Sequence, residues 1–222
     1  MNVLIIAAHP DDEILGMGGT ILKHTSHKDN VTIVYMATGV TARKASEDLK
    51  SSEDKKLQNE ILELRNDALK AAKLLNVKNV KFYDFPDNQM DSITLLKVVK
   101  SIEKEIKSVK PERIYTNHYG DLNVDHKIVS NATITACRPL KGPVKEILSF
   151  EVLSSTEWSY PYSFKPNYFV NIKKQLSKKI NAMKCSKVKL ENFHIHVHQK
   201  ISNLLQADGV LFLVLKLQKL LR

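Results

Sequence analysis

Cysteine is nearly missing from this chain: Cys137 and Cys185 are the two among 222 residues. They stand in no metal-ligand spacing and are too few for a disulfide framework, so they read as ordinary residues of a cytoplasmic protein. Glycine and proline are sparse too, at seven each. No Gly/Ser linker, internal repeat or low-complexity tract interrupts residues 1–150, and no domain boundary is expected there. The apolar opening run is broken by His9 and Asp11 before it reaches the length of a signal core or a transmembrane segment, and it reads instead as a first buried strand. Acidic residues run short in one region only. Residues 1–163 hold 22 Lys/Arg and 22 Asp/Glu, whereas residues 164–222 hold 12 and 2, so the formal charge of +10 resides in the tail. A balanced body with a basic tail, and no aromatic-interleaved basic motif, argues against a nucleic-acid partner.

What is present is an alternation of short β-rich runs with longer helical patterns. Val3–Ala7, Val31–Met36, Val80–Tyr83, Ile114–Tyr115 and Leu148–Val152 read as strands. Ile14–His24, Glu53–Leu75, Ser92–Ser108 and Asp125–Ala136 read as helices, the third capped by Asp91 or Ser92 and stopped by Pro111. The pattern predicts an α/β fold, Rossmann-like and doubly wound, with a mostly parallel sheet covered by helices on both faces. Ser159–Asn167, with two prolines and three aromatics, reads as an ordered loop across the sheet edge. A last strand, Tyr168–Ile172, and a last helix, Lys174–Met183, follow it. The length suits one domain of residues 1–184 with an atypical tail of residues 185–222.

The chemistry concentrates at two strand ends. The first strand runs directly into Ala8-His9-Pro10-Asp11-Asp12-Glu13, in the turn where open α/β sheets place their ligands. Three adjacent carboxylates repel one another unless a cation or a helix N-terminus compensates them, and a divalent metal is the economical answer. Asn117 to His126, with His118, Asp121, Asn123, Asp125 and His126, occupies the turn after the fourth strand. If strand order reverses beside the first strand, the two turns share one crevice and offer two histidines and a carboxylate to one ion, a set that leaves an open position for water. Singly, Asp11, Asp12 and Glu13 also suit a first helical turn, Asp125 also suits an N-cap and His118 a loop surface. Jointly these plain readings do not explain two matching His/Asp clusters. Gly16-Met17-Gly18-Gly19 is not a dinucleotide fingerprint, because acidic residues precede it where a pyrophosphate would sit; these glycines are expected to permit close helix packing.

With these residues the chain resembles the LmbE-like (PIG-L) zinc-dependent N-deacetylases. The resemblance rests on AHPDDE at residues 8–13, on Asp121 to His126, and on Thr38-Gly39, Arg65 and Phe85-Pro86-Asp87 between them. It implies removal of the acetyl group from an N-acetylglucosamine-type sugar or conjugate, a small-molecule partner. It also implies His9, Asp12 and His126 as ligands of Zn2+, with Fe2+ suited to the same set, Asp11 as general base, and Arg65 and Asp87 as substrate contacts. Many relatives carry a histidine at the position of Asn123, which donates a hydrogen bond but no proton; His118 is the candidate to take over that catalytic task. The alternative is a catalytically impaired carbohydrate- or nucleotide-binding module on the same fold.

The tail departs from the resemblance. Where the family carries Pro-His-Pro-Arg-Ser, this chain has Phe193 to His198 with alternating histidines, which on composition alone reads as a surface strand. The codons for that stretch, read two nucleotides later, permit Pro-His-Pro-Arg-Ser, and the same shift over Cys185 to Asn192 permits the expected lead-in. Residues from about Cys185 onward are therefore expected to be a frameshifted tail, in which Leu211 to Leu221 is neither a cofactor box nor a partner helix.

Overall fold

The computed structural model describes residues 1–41, 55–138, 142–153, 155–161 and 164–185, together with the backbone of 211–219. In chain order the strands are β1 Asn2–Ala7, β2 Asn30–Ala37, β3 Asn79–Phe85, β4 Arg113–Asn117, β5 Glu146–Phe150, β6 Tyr168–Asn171 and β7 Leu211–Lys219. The helices are α1 Asp12–Ser26, α2 Lys55–Leu74, α3 Leu95–Val109, α4 Val124–Ala136 and α5 Leu176–Met183. They build a seven-stranded sheet of order β3-β2-β1-β4-β5-β7-β6. β1 pairs in parallel with both β2 and β4, so the order reverses beside β1 as the sequence led us to expect. β7 is antiparallel to β5 and β6, which keeps the sheet mostly parallel.

β1 is buried on both faces, as a central parallel strand must be. Val3, Ile5 and Ala7 pack with α1, α2 and α5, while Leu4, Ile6 and Ala8 pack with α3 and α4. Among the described residues no helix is long and apolar enough to cross a membrane.

Several boundaries differ from the sequence reading, and one difference is more than fraying. Met90–Ser92 is a separate 3₁₀ turn, and α3 starts at Leu95 after Thr94, with no side-chain cap; neither Asp91 nor Ser92 caps it. Asp125 explains the change, because it accepts the backbone N–H groups of Asn88 and Met90 at 2.6 and 3.1 Å and so shapes the segment before α3. β3 continues to Phe85 and β5 lies two residues earlier than expected, at Glu146–Phe150. The expected helix start at Glu53, the Tyr162 part of the aromatic loop and the histidine run at 193–198 lie outside the described residues.

α1 carries a kink at Met17, whose φ of −146° is not helical. Lys179 Nζ reaches across from α5 and donates to the Leu15 carbonyl at 2.8 Å, beside the kink. The glycines permit the close packing expected of them. A Cβ on Gly16 would lie 2.4 Å from the Phe150 ring and 2.5 Å from the Glu151 carbonyl oxygen, and one on Gly19 2.4 Å from Ile172. Because backbone cannot yield as a side chain can, Gly16→Ala is expected to destabilise the fold by about 1–3 kcal/mol, read as a lowered urea midpoint at unchanged slope.

Candidate metal centre

β1 and β4 end side by side, and Asn117 stitches those ends together. Its side-chain oxygen accepts the Ala8 N–H at 2.9 Å and its amide donates to Asp12 Oδ2 at 3.1 Å. The next residue, His9, donates its backbone N–H to the same Asp12 oxygen at 2.9 Å, fixing the carboxylate under the imidazole. Pro10 turns the chain, and Asp11 follows with φ of 120°, a costly conformation for a residue with a Cβ. Asp11 occupies the N-cap position of α1 without a side-chain cap bond. Gly39 closes over this turn at φ of 81°, where a Cβ would meet Pro10 at 3.0 Å.

At the other strand end Asn123 is the N-cap of α4. Its side-chain oxygen accepts the N–H groups of Asp125 and His126 at 2.8 and 3.4 Å, and its amide donates to Asn88 at 3.1 Å. Asn123, not Asp125, thus caps this helix, and both ends of its amide are engaged. Capping aims the first turn of α4 so that Asp125 and His126 both enter the crevice.

His9, Asp12 and His126 meet there. His9 Nδ1 lies 3.2 Å from His126 Nε2, and Asp12 Oδ2 lies 3.6 and 3.2 Å from those two nitrogens. Three ligands of a tetrahedral zinc ion bonded at roughly 2.0–2.1 Å stand about 3.3 Å apart, so these spacings suit one ion. All three side chains are buried. The outward nitrogens are held as in ligating histidines, each facing carboxylate. His9 Nε2 has Asp125 at 2.9 Å and Asp87 at 3.0 Å, and His126 Nδ1 has Asp121 at 3.2 Å. Asp121 also accepts the hydroxyls of Ser155 and Thr156, tying the segment after β5 to the site.

The electrostatics favour a cation. Burial pulls the His9 pKa down, but hydrogen bonds to Asp12, Asp125 and Asp87 outweigh it and leave it well above the usual imidazole value. His126 behaves alike: against burial, the Asp12 charge and its hydrogen bond raise it to about 9. Asp87 is lowered to about 2, the His9 and Thr41 bonds overcoming its burial. Glu13 goes the other way, pushed by burial to about 8 despite its Tyr35 partner, with the Asp11 charge adding to the rise. It is therefore largely protonated at neutral pH.

The chain is also similar to known proteins in sequence and in fold. Residues 4–137 match the model of the GlcNAc-PI de-N-acetylase (PIG-L) family, more than half the chain. The chain belongs to the PIG-L family. An uncharacterised deacetylase of Escherichia coli K12 is 28% identical over 179 residues, covering 78% of this chain and 83% of its own. A probable N-acetyl-alpha-D-glucosaminyl L-malate deacetylase of Bacillus cereus is 25% identical over 205 residues, covering 91% and 90%. Among solved structures, the 4-carboxy-2-hydroxymuconate hydratase GalB from Pseudomonas putida superposes with a TM-score of 0.72 at 17% identity, over 100% of this chain and 98% of its own. The PIG-L sheet and helices are thus shared with an enzyme named for other chemistry, and the site has to carry the functional argument.

Within this family member, the remaining sequence candidates fall in three places. Asp87 sits inside the site but against His9 and Thr41, the latter through its N–H at 2.6 Å. Arg65 is tied to Asp84 at 2.5 Å and to the Tyr83 carbonyl at 3.3 Å, over the Phe82 ring. His118 is buried, its ring against Tyr119 and Phe164, and its Nδ1 has no hydrogen-bond partner among the described residues. Asn117 and Thr156 carried no role in the sequence reading; an amide at a buried strand end was the one available sign of the first. Asn123→Ala is expected to cost about 1 kcal/mol through the lost cap, whereas Asn123→Asp keeps the cap oxygen and retains most of that stability in chemical denaturation.

Proposed function

We propose that this chain is a metal-dependent N-deacetylase of an N-acetylglucosamine-type sugar or sugar conjugate, with zinc held by His9, Asp12 and His126. The observation that carries this reading is the mutual spacing of those three donor atoms, which suits a single tetrahedral ion with a position left open. Zinc, when bound, supplies Lewis acidity toward the amide carbonyl and toward the attacking water. Iron(II) suits the same donors.

The chain's own residues divide the remaining work. Asp11 follows the metal turn in a strained conformation and is the general base: its carboxylate takes the proton from the attacking water and returns it to the departing amine nitrogen. Asn123 serves chiefly by aiming His126 and Asp125. Donation to the developing oxyanion falls to His118, whose imidazole is kept neutral by burial and carries a ring nitrogen with no partner among the described residues. Asp87, Asp125 and Asp121 orient the ligand imidazoles. Arg65 becomes a substrate contact only by leaving Asp84, a partner on the surface whose ion pair contributes little.

The sugar reading draws on the Bacillus cereus relative, named for an N-acetylglucosaminyl substrate, and on exposed residues of the segments that carry the site. Tyr119 and Leu122 flank Asp121, Trp158 and Tyr160 follow Thr156, and all four are exposed. The aromatic faces of Tyr119, Trp158 and Tyr160 suit the apolar side of a pyranose ring. The partner expected is a small N-acetylated sugar, and the location expected is the cytoplasm.

We keep residues 1–184 as the deacetylase domain and the tail as its frameshifted continuation. The Bacillus cereus match spans 91% of the chain in the present frame, so it extends beyond Cys185, and the codons decide the matter. Gene sequencing is expected to return codons over residues 193–198 that read as Pro-His-Pro-Arg-Ser two nucleotides on, and codons over residues 185–192 that read as the lead-in; incompatible codons end the frameshift reading.

The functional proposal is tested by metal analysis together with acetate release from N-acetylglucosamine and N,N'-diacetylchitobiose. Asp11→Asn is expected to retain the metal and lose activity by about 10²–10⁴-fold. His126→Ala is expected to lose both metal and activity. Bound metal with no acetate release in the unmodified chain would instead favour a carbohydrate-binding module.

A further inference from the structure

The opposite, N-terminal edge of the sheet holds a cleft of about 500 Å³, within the range of small-molecule sites. It lies between the C-terminal half of α1, the starts of β4 and β6, and the turn before β2. None of the residues assigned to the metal centre lines it.

Its polar groups are organised. Arg113 directs Nε and Nη2 at Glu146, at 2.9 and 2.5 Å, and lies over the Tyr168 ring, which leaves Nη1 pointing at the Tyr115 hydroxyl at 3.5 Å. The Tyr115 hydroxyl also meets His24 Nε2 at 3.0 Å, and Asp29 holds the other His24 nitrogen at 2.7 Å. This relay fixes a tyrosine hydroxyl and a guanidinium edge on one wall. Lys23 enters from α1 with a backbone carbonyl, that of Asn171 at 3.4 Å, as its hydrogen-bond partner. Thr20, one turn earlier on the same helix, is 2% exposed and its hydroxyl has no partner among the described residues. A buried hydroxyl left unmatched is unfavourable, and Thr20 lines the cleft. Tyr168, Phe169 and Val170 supply an apolar wall, with Phe169 half exposed.

We infer that this cleft is a second binding site, for a small organic oxyanion, a phosphate monoester or carboxylate, carried on an aromatic or apolar body. The oxyanion is received by Lys23, the Thr20 hydroxyl and the second N–H of Arg113 Nη1, and the body lies against Tyr168 and Phe169. The two carboxylates present, Asp29 and Glu146, are already engaged by His24 and Arg113, so they orient the donors. The site binds and does no chemistry of its own: burial pushes the Tyr115 hydroxyl up to about 12, so it stays protonated and is no nucleophile.

Calorimetric titration of the full chain with phenyl phosphate, inorganic phosphate and neutral benzyl alcohol tests this. Phenyl phosphate is expected to bind more tightly than inorganic phosphate, and benzyl alcohol not measurably. Lys23→Ala, at a half-buried position, and Thr20→Val, nearly isosteric, are each expected to weaken phenyl phosphate at least five-fold, with metal content and acetate release unchanged. Benzoate in place of phenyl phosphate distinguishes a carboxylate from a phosphate ligand. Absence of binding by either anion overturns the inference. So does binding that survives both substitutions, and binding that His126→Ala abolishes, which would lie on the metal. These outcomes are read without reference to deacetylation, so they stand apart from the fate of the proposed activity.

Discussion

Six carboxyl groups, those of Asp11, Asp12, Glu13, Asp87, Asp121 and Asp125, are buried around two imidazoles at one end of the sheet, and their mutual repulsion is the constraint on which the rest depends. Carboxylates brought so close inside a protein must be hydrogen-bonded, protonated or neutralised by a cation. Each response is visible. Asp125 and Asp121 are surrounded by N–H and O–H donors, Glu13 is driven toward its neutral form, and Asp12 sits between two imidazoles whose proton affinity is raised. The divalent ion proposed for this site would take the place that protons on those imidazoles otherwise fill.

The scaffold around that end is arranged to hold it still. Asn117 joins the ends of β1 and β4, Asn123 caps α4, and Asp125 draws in the segment before α3 through two backbone N–H groups. Behind them α1 packs closely at its glycines, bends at Met17, and accepts a hydrogen bond from Lys179 at the Leu15 carbonyl. A site built from side chains on four different segments keeps its geometry only if such second partners fix each segment. That is why so many of the site's hydrogen bonds end on backbone and not on another site residue.

The fold was largely legible from hydrophobic patterning. Val3 to Ala7 is an unbroken apolar run because β1 is covered on both faces, and such a run is distinctive. Strand ends were less legible, since Phe85 and Asn117 extend β3 and β4 through pairing with neighbours that no local pattern reveals. The start of α3 was misplaced for a comparable reason: Asp91 and Ser92 have good capping chemistry, yet Asp125, more than thirty residues away, sets the backbone there. Glycine order near Met17 announced close packing but not the kink.

The sequence by itself determined which residue types gather at each strand end, because His9 to Glu13 and Asp121 to His126 each follow directly on a buried strand. It also determined the family, through those same short runs. Tertiary structure decided which of these residues face one another. The reversal of strand order beside β1 brings His126 to His9 and Asp12, and the turn after β3 sets Asp87 against His9. Tertiary structure likewise spent the Asn123 amide on a helix cap and drew Arg65 to Asp84. The physical reason is directional: hydrogen bonds and metal ligands act over about 3 Å, a distance that sequence separation does not encode.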